Sequence, residues 1–341
     1  MKKINLILAL FLASLYITAQ PTIEWQKSLG GTNVEEASSI QQTTDGGYIV
    51  AGYANSNDGD VTGNHGSSDY WVVKISNIGA ITWQKSLGGS LTDKATSILQ
   101  TTDGGYVVAG VTYSTDGDVT GNHGFTDYWM VKLTNTGVID WQKSLGGTSG
   151  DVATSIQQTT DGGYIVAGSS SSTDGDVTGN HGLSDYWVVK LTSNGTIDWQ
   201  KSLGGTNWDN PISIQQTTDG GYIVVGYSQS TDGDVTGNHG SLDYWVVKIT
   251  STGTIVWQKS FGGTDVDAAT SVQQTTDEGY IIAGYSMSND GDIIGNHGNQ
   301  DYWVVKLDSI GGVDWKKSLG GTSGDAATSI QQTTDGAYII A

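Results

Sequence analysis

WQKSLGG, residues 25–31, sets the scale for the whole chain, because its tryptophan returns at Trp83, Trp141, Trp199, Trp257 and Trp315, always 58 residues on. No insertion or deletion separates the copies, so five units are complete and a sixth runs to Ala341. A long fixed period marks a propeller or a repeat array, in which each unit buries its apolar faces against its neighbours. The period also changes how a motif is judged. A residue present in every copy is first a requirement of the repeat, and only then a candidate site.

Around that phrase each unit resolves into four strand-like runs, in the first unit ASSIQQT (37–43), YIVAGY (48–53), DYWVVKI (69–75) and AITWQKSL (80–87). They are rich in Val, Ile, Tyr and Trp and bounded by Gly, Asp and Asn, the pattern of short strands. No stretch has a 3.6-residue apolar period, and 50 glycines argue against helices. DYWVVKI is apolar on both alternating faces, as a strand covered on both sides should be. The Trp strand puts Ile81, Trp83 and Lys85 on one face only, as expected near an edge. TTDGG after the first run and SNIG after the third are tight turns.

Four-stranded meanders in series predict an all-β chain, a β-propeller of antiparallel blades with 58 residues each. A β-solenoid is the other architecture considered, but its coils are usually shorter. After its leader the chain opens with a lone last strand, IEWQKSLG (23–30), and ends with a first strand and part of a second. With the early strand completing the final blade, a ring of six blades closes lacking one third strand. On that reading the propeller domain spans 20–341, and the sequence is a fragment incomplete at its C-terminus.

Residues 1–19 have a positive start (Lys2, Lys3), an apolar stretch and a small residue at Ala19, the pattern of a secretory signal peptide. The chain is therefore expected to be exported, with no transmembrane segment in its mature part. It has no cysteine, which excludes a disulfide framework. Net charge is −20, and removal of Lys2 and Lys3 makes it more negative. Such acidity repels nucleic acid and anionic membranes and suits cations or neutral ligands such as sugars.

A meander sorts its loops onto two faces. The tight turns share one; the long loop SNDGDVTGNHGSS (56–68) and the link GGTNVEE (30–36) share the other. That second face gathers every histidine and nearly all variation between copies. The DGD pairs there, Asp58/Asp60, Asp116/Asp118, Asp174/Asp176, Asp232/Asp234 and Asp290/Asp292, are the candidate metal ligands, since calcium takes six to eight oxygens. The competing reading is that Asp and Asn brace turns through backbone hydrogen bonds. The five histidines, one per GNHG, read as hydrogen-bonding turn residues.

An acid repeated in every blade cannot be catalytic in all of them, and the few breaks in the repeat form no nucleophile-and-base set. Those breaks are Trp208 with Pro211, Phe125, Met130, Glu278, and Asn299 with Gln300. Trp208, Asp209, Phe125, Asn299 and Gln300 are the candidate ligand-binding residues, with Trp208 able to stack on a sugar ring. No catalytic residue is assigned.

The run DYWVVKLTSNGTIDWQKSLGG (185–205) loosely resembles quinoprotein-type propeller repeats. Their activity does not carry over, because no arginine or cysteine is present. More closely, DGGYIVAG, DGDVTGNHG and DYWVVKL together resemble a family of secreted tandem-repeat proteins of flavobacterial type. The resemblance implies type IX secretion and, in some members, an endoglucanase-like label. The expected function is thus a secreted or cell-surface propeller, a monomer, that binds or displays polysaccharide or protein. The alternative is a glycoside hydrolase or a component of a polysaccharide-degrading system.

Overall fold

Short β-branched and aromatic runs between glycine-bearing turns form strands throughout residues 22–341, the part described by the computed structural model. The expected leader at 1–19 lies outside the described residues. The first sheet holds β1 (Glu35–Gln42), β2 (Tyr48–Ala54), β3 (Asp69–Ile75) and β4 (Ile81–Leu87). The second holds β5 (Asp93–Gln100), β6 (Tyr106–Thr112), β7 (Asp127–Leu133) and β8 (Ile139–Leu145). The third holds β9 (Asp151–Gln158), β10 (Tyr164–Ser170), β11 (Asp185–Leu191) and β12 (Ile197–Leu203). The fourth holds β13 (Asp209–Gln216), β14 (Tyr222–Ser228), β15 (Asp243–Ile249) and β16 (Ile255–Phe261). The fifth holds β17 (Asp267–Gln274), β18 (Tyr280–Ser286), β19 (Asp301–Leu307) and β20 (Val313–Leu319). β21 (Ile330–Gln332) and β22 (Tyr338–Ile340) form a two-stranded sixth sheet. Among the described residues no helix is long and apolar enough to cross a membrane.

Every four-stranded sheet is an antiparallel meander in chain order. The first strands of successive sheets lie against one another, and each also meets the second strand of the sheet before it; β5, β9, β13 and β17 meet its third strand as well. The fourth strands lie at the outer edges. Sheets that converge on their first strands and splay at their fourth are propeller blades, so the expected all-β propeller architecture stands.

Side-chain alternation explains the stacking. On β7, Trp129, Val131 and Leu133 join a cluster with the first blade, whereas Tyr128 and Met130 join one with the third. Each such side chain is worth roughly 1.5–3 kcal/mol when fully buried. The Tyr70 hydroxyl crosses the junction and donates to the Trp129 carbonyl at 2.9 Å, and the bond recurs at the next three junctions. Gly110 makes room for it: a Cβ there would lie 2.7 Å from Tyr70 Oη and 2.1 Å from the Lys94 carbonyl oxygen.

One turn breaks the pattern at a cost. The TTDGG turns hold Gly46, Gly104, Gly162 and Gly220 at φ near +80°, but Glu278 occupies the same place at φ +66°. The space around these glycines is open, so the penalty at Glu278 is conformational, about 1 kcal/mol. Glu278→Gly should therefore raise stability by about 1 kcal/mol in urea melts. An unchanged or lowered midpoint would refute this.

Ring closure through the N-terminal segment is not made. IEWQKSLG (23–30) forms no strand, because a fourth strand pairs with a third and the sixth sheet has only two strands. Trp25 still docks on Tyr48, ring centroids 5.8 Å apart, as Trp83 docks on Tyr106 at 5.7 Å.

Candidate functional site

The long loops and inter-blade links meet on one face, and the repeated residues there hold the backbone. At the first junction the Asp118 amide donates to the Gly88 carbonyl at 2.9 Å. In return the Gly88 amide donates to Asp118 Oδ2 at 3.2 Å, and Ser90 N to Asp116 Oδ1 at 2.7 Å. Gly117 between them has φ +66°, and a Cβ there would lie 2.4 Å from the Gly88 carbonyl oxygen. The DGD sequence is thus a clasp on the GG link.

The other pairs act alike. Asp58 and Asp60 accept from Thr32 N and Gly30 N, and Asp174 and Asp176 from Thr148 N and Gly146 N. Asp232 and Asp234 accept from Thr206 N and Gly204 N, and Asp290 and Asp292 from Thr264 N and Gly262 N. These bonds use up oxygens a cation would need: at Asp290 and Asp292 all four are taken, with Lys316 Nζ 2.7 Å from Asp292 Oδ1. Calcium there would have to complete its shell with backbone carbonyls and water. Among the described residues no three His, Asp or Glu side chains gather into a metal cluster.

Beneath the clasp lie two buried carboxylates from adjacent blades. Asp69 Oδ2 accepts from the His65 backbone N–H at 2.9 Å and meets His65 Nδ1 at 2.7 Å. Its Oδ1 is buried without a hydrogen-bond partner, as are the corresponding oxygens of Asp127, Asp185, Asp243 and Asp301. Asp93, from the next blade, accepts from Gly89 N at 2.9 Å and from Ser114 Oγ at 2.8 Å. Both carboxylates crowd Gly88: a Cβ there would lie 2.6 Å from Asp93 Oδ2 and 2.8 Å from Asp69 Oδ1. Burial pushes Asp69, Asp127, Asp185 and Asp243 above the ordinary carboxylate range, Asp185 to about 6, with nearby acids adding to burial and the histidines opposing it.

The expected ligand residues divide. Asp209 is fully buried, held by Gly205 N at 2.8 Å, Ser230 Oγ at 2.9 Å and Ser228 Oγ, so its carboxylate faces the protein interior. Burial raises it as well. Trp208 is 55% and Phe125 66% exposed. Phe125 packs edge-on against Tyr113, centroids 5.4 Å apart. Asn299 and Gln300 line a shallow pocket of about 510 Å³ with Val266 and Met287. These residues share a face but sit at different junctions, not in one cleft.

A pairing rule emerges that the sequence reading missed. Ser184 forms a parallel bridge with Trp208, and the equivalents are Ser68–Thr92, Thr126–Gly150, Leu242–Val266 and Gln300–Gly324. The residue before the first partner varies between copies, and so does the second. Each junction therefore presents its own variable pair on an invariant frame: Phe125 with Gly150, Leu183 with Trp208, Asn299 with Gly324. Leu183 is 54% exposed beside Trp208, the most apolar of these pairs. Their joint variation along the repeat was the available signal.

No protein-family profile and no curated protein matches this chain. Among solved structures, it is similar to the WD40 domain of Pan2 from Neurospora crassa, at 11% identity and TM-score 0.46 over 88% of this chain and 83% of that one. Sqt1 from Chaetomium thermophilum gives 11% identity and TM-score 0.44, over 86% and 74%. A protein of unknown function from Bacteroides caccae gives 14% identity and TM-score 0.32, over 73% and 90%. Likenesses at this level carry no weight of their own, and the architecture rests on the blade geometry above.

Proposed function

We propose that this chain is an exported, non-catalytic propeller whose loop face binds or displays, with polysaccharide as the first ligand class. The observation that carries the reading is the exposed Leu183–Trp208 pair, set by a bridge on a rigid and otherwise repeated frame. An aromatic face held at low entropy cost suits the apolar face of a pyranose ring, and a net charge of −20 favours neutral polymers over anionic ones. Secretion through the leader, and the type IX route implied by the family resemblance, belong to the same proposal.

The loop-face carboxylates Asp209 and Asp232, which a hydrolase would have to use as acid and base, fit the frame better than catalysis. Asp209 is buried, and Asp232 accepts from the Thr206 amide and hydroxyl. Retention on a panel of insoluble polysaccharides, with reducing-sugar release measured in parallel, tests the reading. Retention without release is expected, and Trp208→Ala should weaken it about 10–30-fold, the loss of one aromatic anchor. Sugar release would overturn the non-catalytic reading. Undiminished retention by the variant would remove Trp208 from the site.

A further inference from the structure

Departures from the repeat gather on the loop face where the first blade meets the second. Leu91 stands where the other units have Asn, Ser or Asp, and Tyr113 where they have Asn, Ser, Gln or Met. Lys94 stands where they have Glu, Val, Asn or Ala, and Val111 where they have Tyr or Ser. These four, with Ser67 and Thr92, line one pocket of about 390 Å³. Phe125, a further departure, packs on Tyr113 and extends the apolar rim, which Leu91 continues at 51% exposure.

The pocket holds one half-buried cation. Lys74, Lys132, Lys190, Lys248 and Lys306 each hold an aspartate at 2.9–3.0 Å. Lys94 has no such partner among the described residues, and its Nζ lies 4.2 Å from the centroid of the Tyr53 ring. Glu36, on the first strand of the blade before, is engaged by the Tyr53 hydroxyl, 2.9 Å from its Oε2. An apolar pocket is thus left with one uncommitted ammonium at its wall.

We infer that this pocket takes the C-terminal end of a partner protein chain, an α-carboxylate beside an apolar side chain. One chemical group then satisfies both halves of the site. Its side chain fills the space between Leu91, Val111 and Tyr113, and its carboxylate accepts from Lys94 Nζ in a charge-assisted hydrogen bond. The volume lies in the range of small-ligand pockets, roughly 300–1,000 Å³. A sugar fits this pocket less well, because leucine and valine walls offer its hydroxyls no partner. Distant acids are screened beyond about 8–10 Å, so contact with Lys94 decides the sign of the charge that is bound. The site is separate from the Leu183–Trp208 pair, which lies between the third and fourth blades.

Titration calorimetry tests the inference with an acetylated glycine–serine peptide ending in leucine, set against the same peptide as its C-terminal amide. The free acid should bind, and the amide about 10–100-fold more weakly, the loss of one charged hydrogen bond. Lys94→Ala should abolish that discrimination, and Leu91→Asn should weaken the acid about 10-fold. Both substitutions install a residue that another unit carries at the same place, Ala268 and Asn33, so the blade accommodates them. Trp208→Ala should bind the acid as the unaltered chain does, which separates this site from the polysaccharide platform. No binding of the acid overturns the inference, as does equal binding of acid and amide, or discrimination that survives Lys94→Ala. Free leucine bound as tightly as the peptide would make the ligand a small amino acid and overturn the assignment to a chain end.

Discussion

Replacing Trp187 with alanine is expected to lower the unfolding free energy by about 3–5 kcal/mol, the cost of emptying a large buried aromatic site. Trp187 is 0% exposed and stands at the centre of the junction between the second and third blades. Its ring lies 4.6 Å from that of Tyr128, and its Nε1 donates to Gln200 Oε1 at 2.8 Å. Truncation thus opens a cavity and leaves Gln200 without its donor. Trp141 serves as the control. It is partly buried, packed edge-on against Tyr164 with ring centroids 5.8 Å apart, and its removal should cost markedly less. In a repeat array the loss falls on one interface, so the blades on either side uncouple. Urea unfolding followed by circular dichroism should show a lower midpoint and a second transition for Trp187→Ala. Equal effects of the two substitutions would sink the assignment of Trp187 as the junction's main packing residue.

The second large effect is on pH. Burial raises the Asp185 carboxyl from its ordinary value of 3.8 to about 6, with hydrogen bonds from His181 opposing it. A carboxyl raised on folding binds its proton more tightly in the folded chain. Its contribution is fully present below the unfolded value and is lost as pH rises through the folded one. Each pH unit between the two values is worth about 1.4 kcal/mol, so this site supplies on the order of 3 kcal/mol. Asp69, Asp127 and Asp243 are raised for the same reason.

The turn acids act in the opposite sense. Partial burial works against ionisation at Asp103 and Asp219. Hydrogen bonds from Thr101 and Thr217, from the turn amides and from Lys132 and Lys248 outweigh it and hold both at about 2. Their contribution is present above the unfolded value near 4 and lost as pH falls towards 2. Stability should therefore peak near pH 4 and fall as pH rises from there towards 6 and beyond. A melting temperature higher at pH 5 than at pH 8, collapsing below pH 3, is the expected profile, and Asp185→Asn should flatten its alkaline limb. A melting temperature that rises steadily from pH 5 to 8 would contradict the account of the buried acids.

Much of the blade was legible before the structure. The strands at 48–53 and 69–75 were read to within a residue, because period-two alternation between glycine turns leaves little freedom. The fourth strand's outer position followed from its single apolar face. Lys74 shows where the reading stopped. In sequence it sits among apolar neighbours without a partner, yet its ammonium is buried at 2.9 Å from Asp45, brought across by the turn. The acids behaved likewise. Asp58 and Asp209 look alike as repeated carboxylates, but one clasps an exposed link and the other is sealed under it.

The 58-residue period, the four strands of each unit and the separation of turn face from loop face were determined by the sequence alone, since local alternation and turn chemistry specify them. The tertiary structure decided which carboxylates are buried and that the Leu183 segment lies against Trp208. Those facts depend on which segments the fold brings together, as it brings Ser184 to Trp208, and no local pattern encodes that.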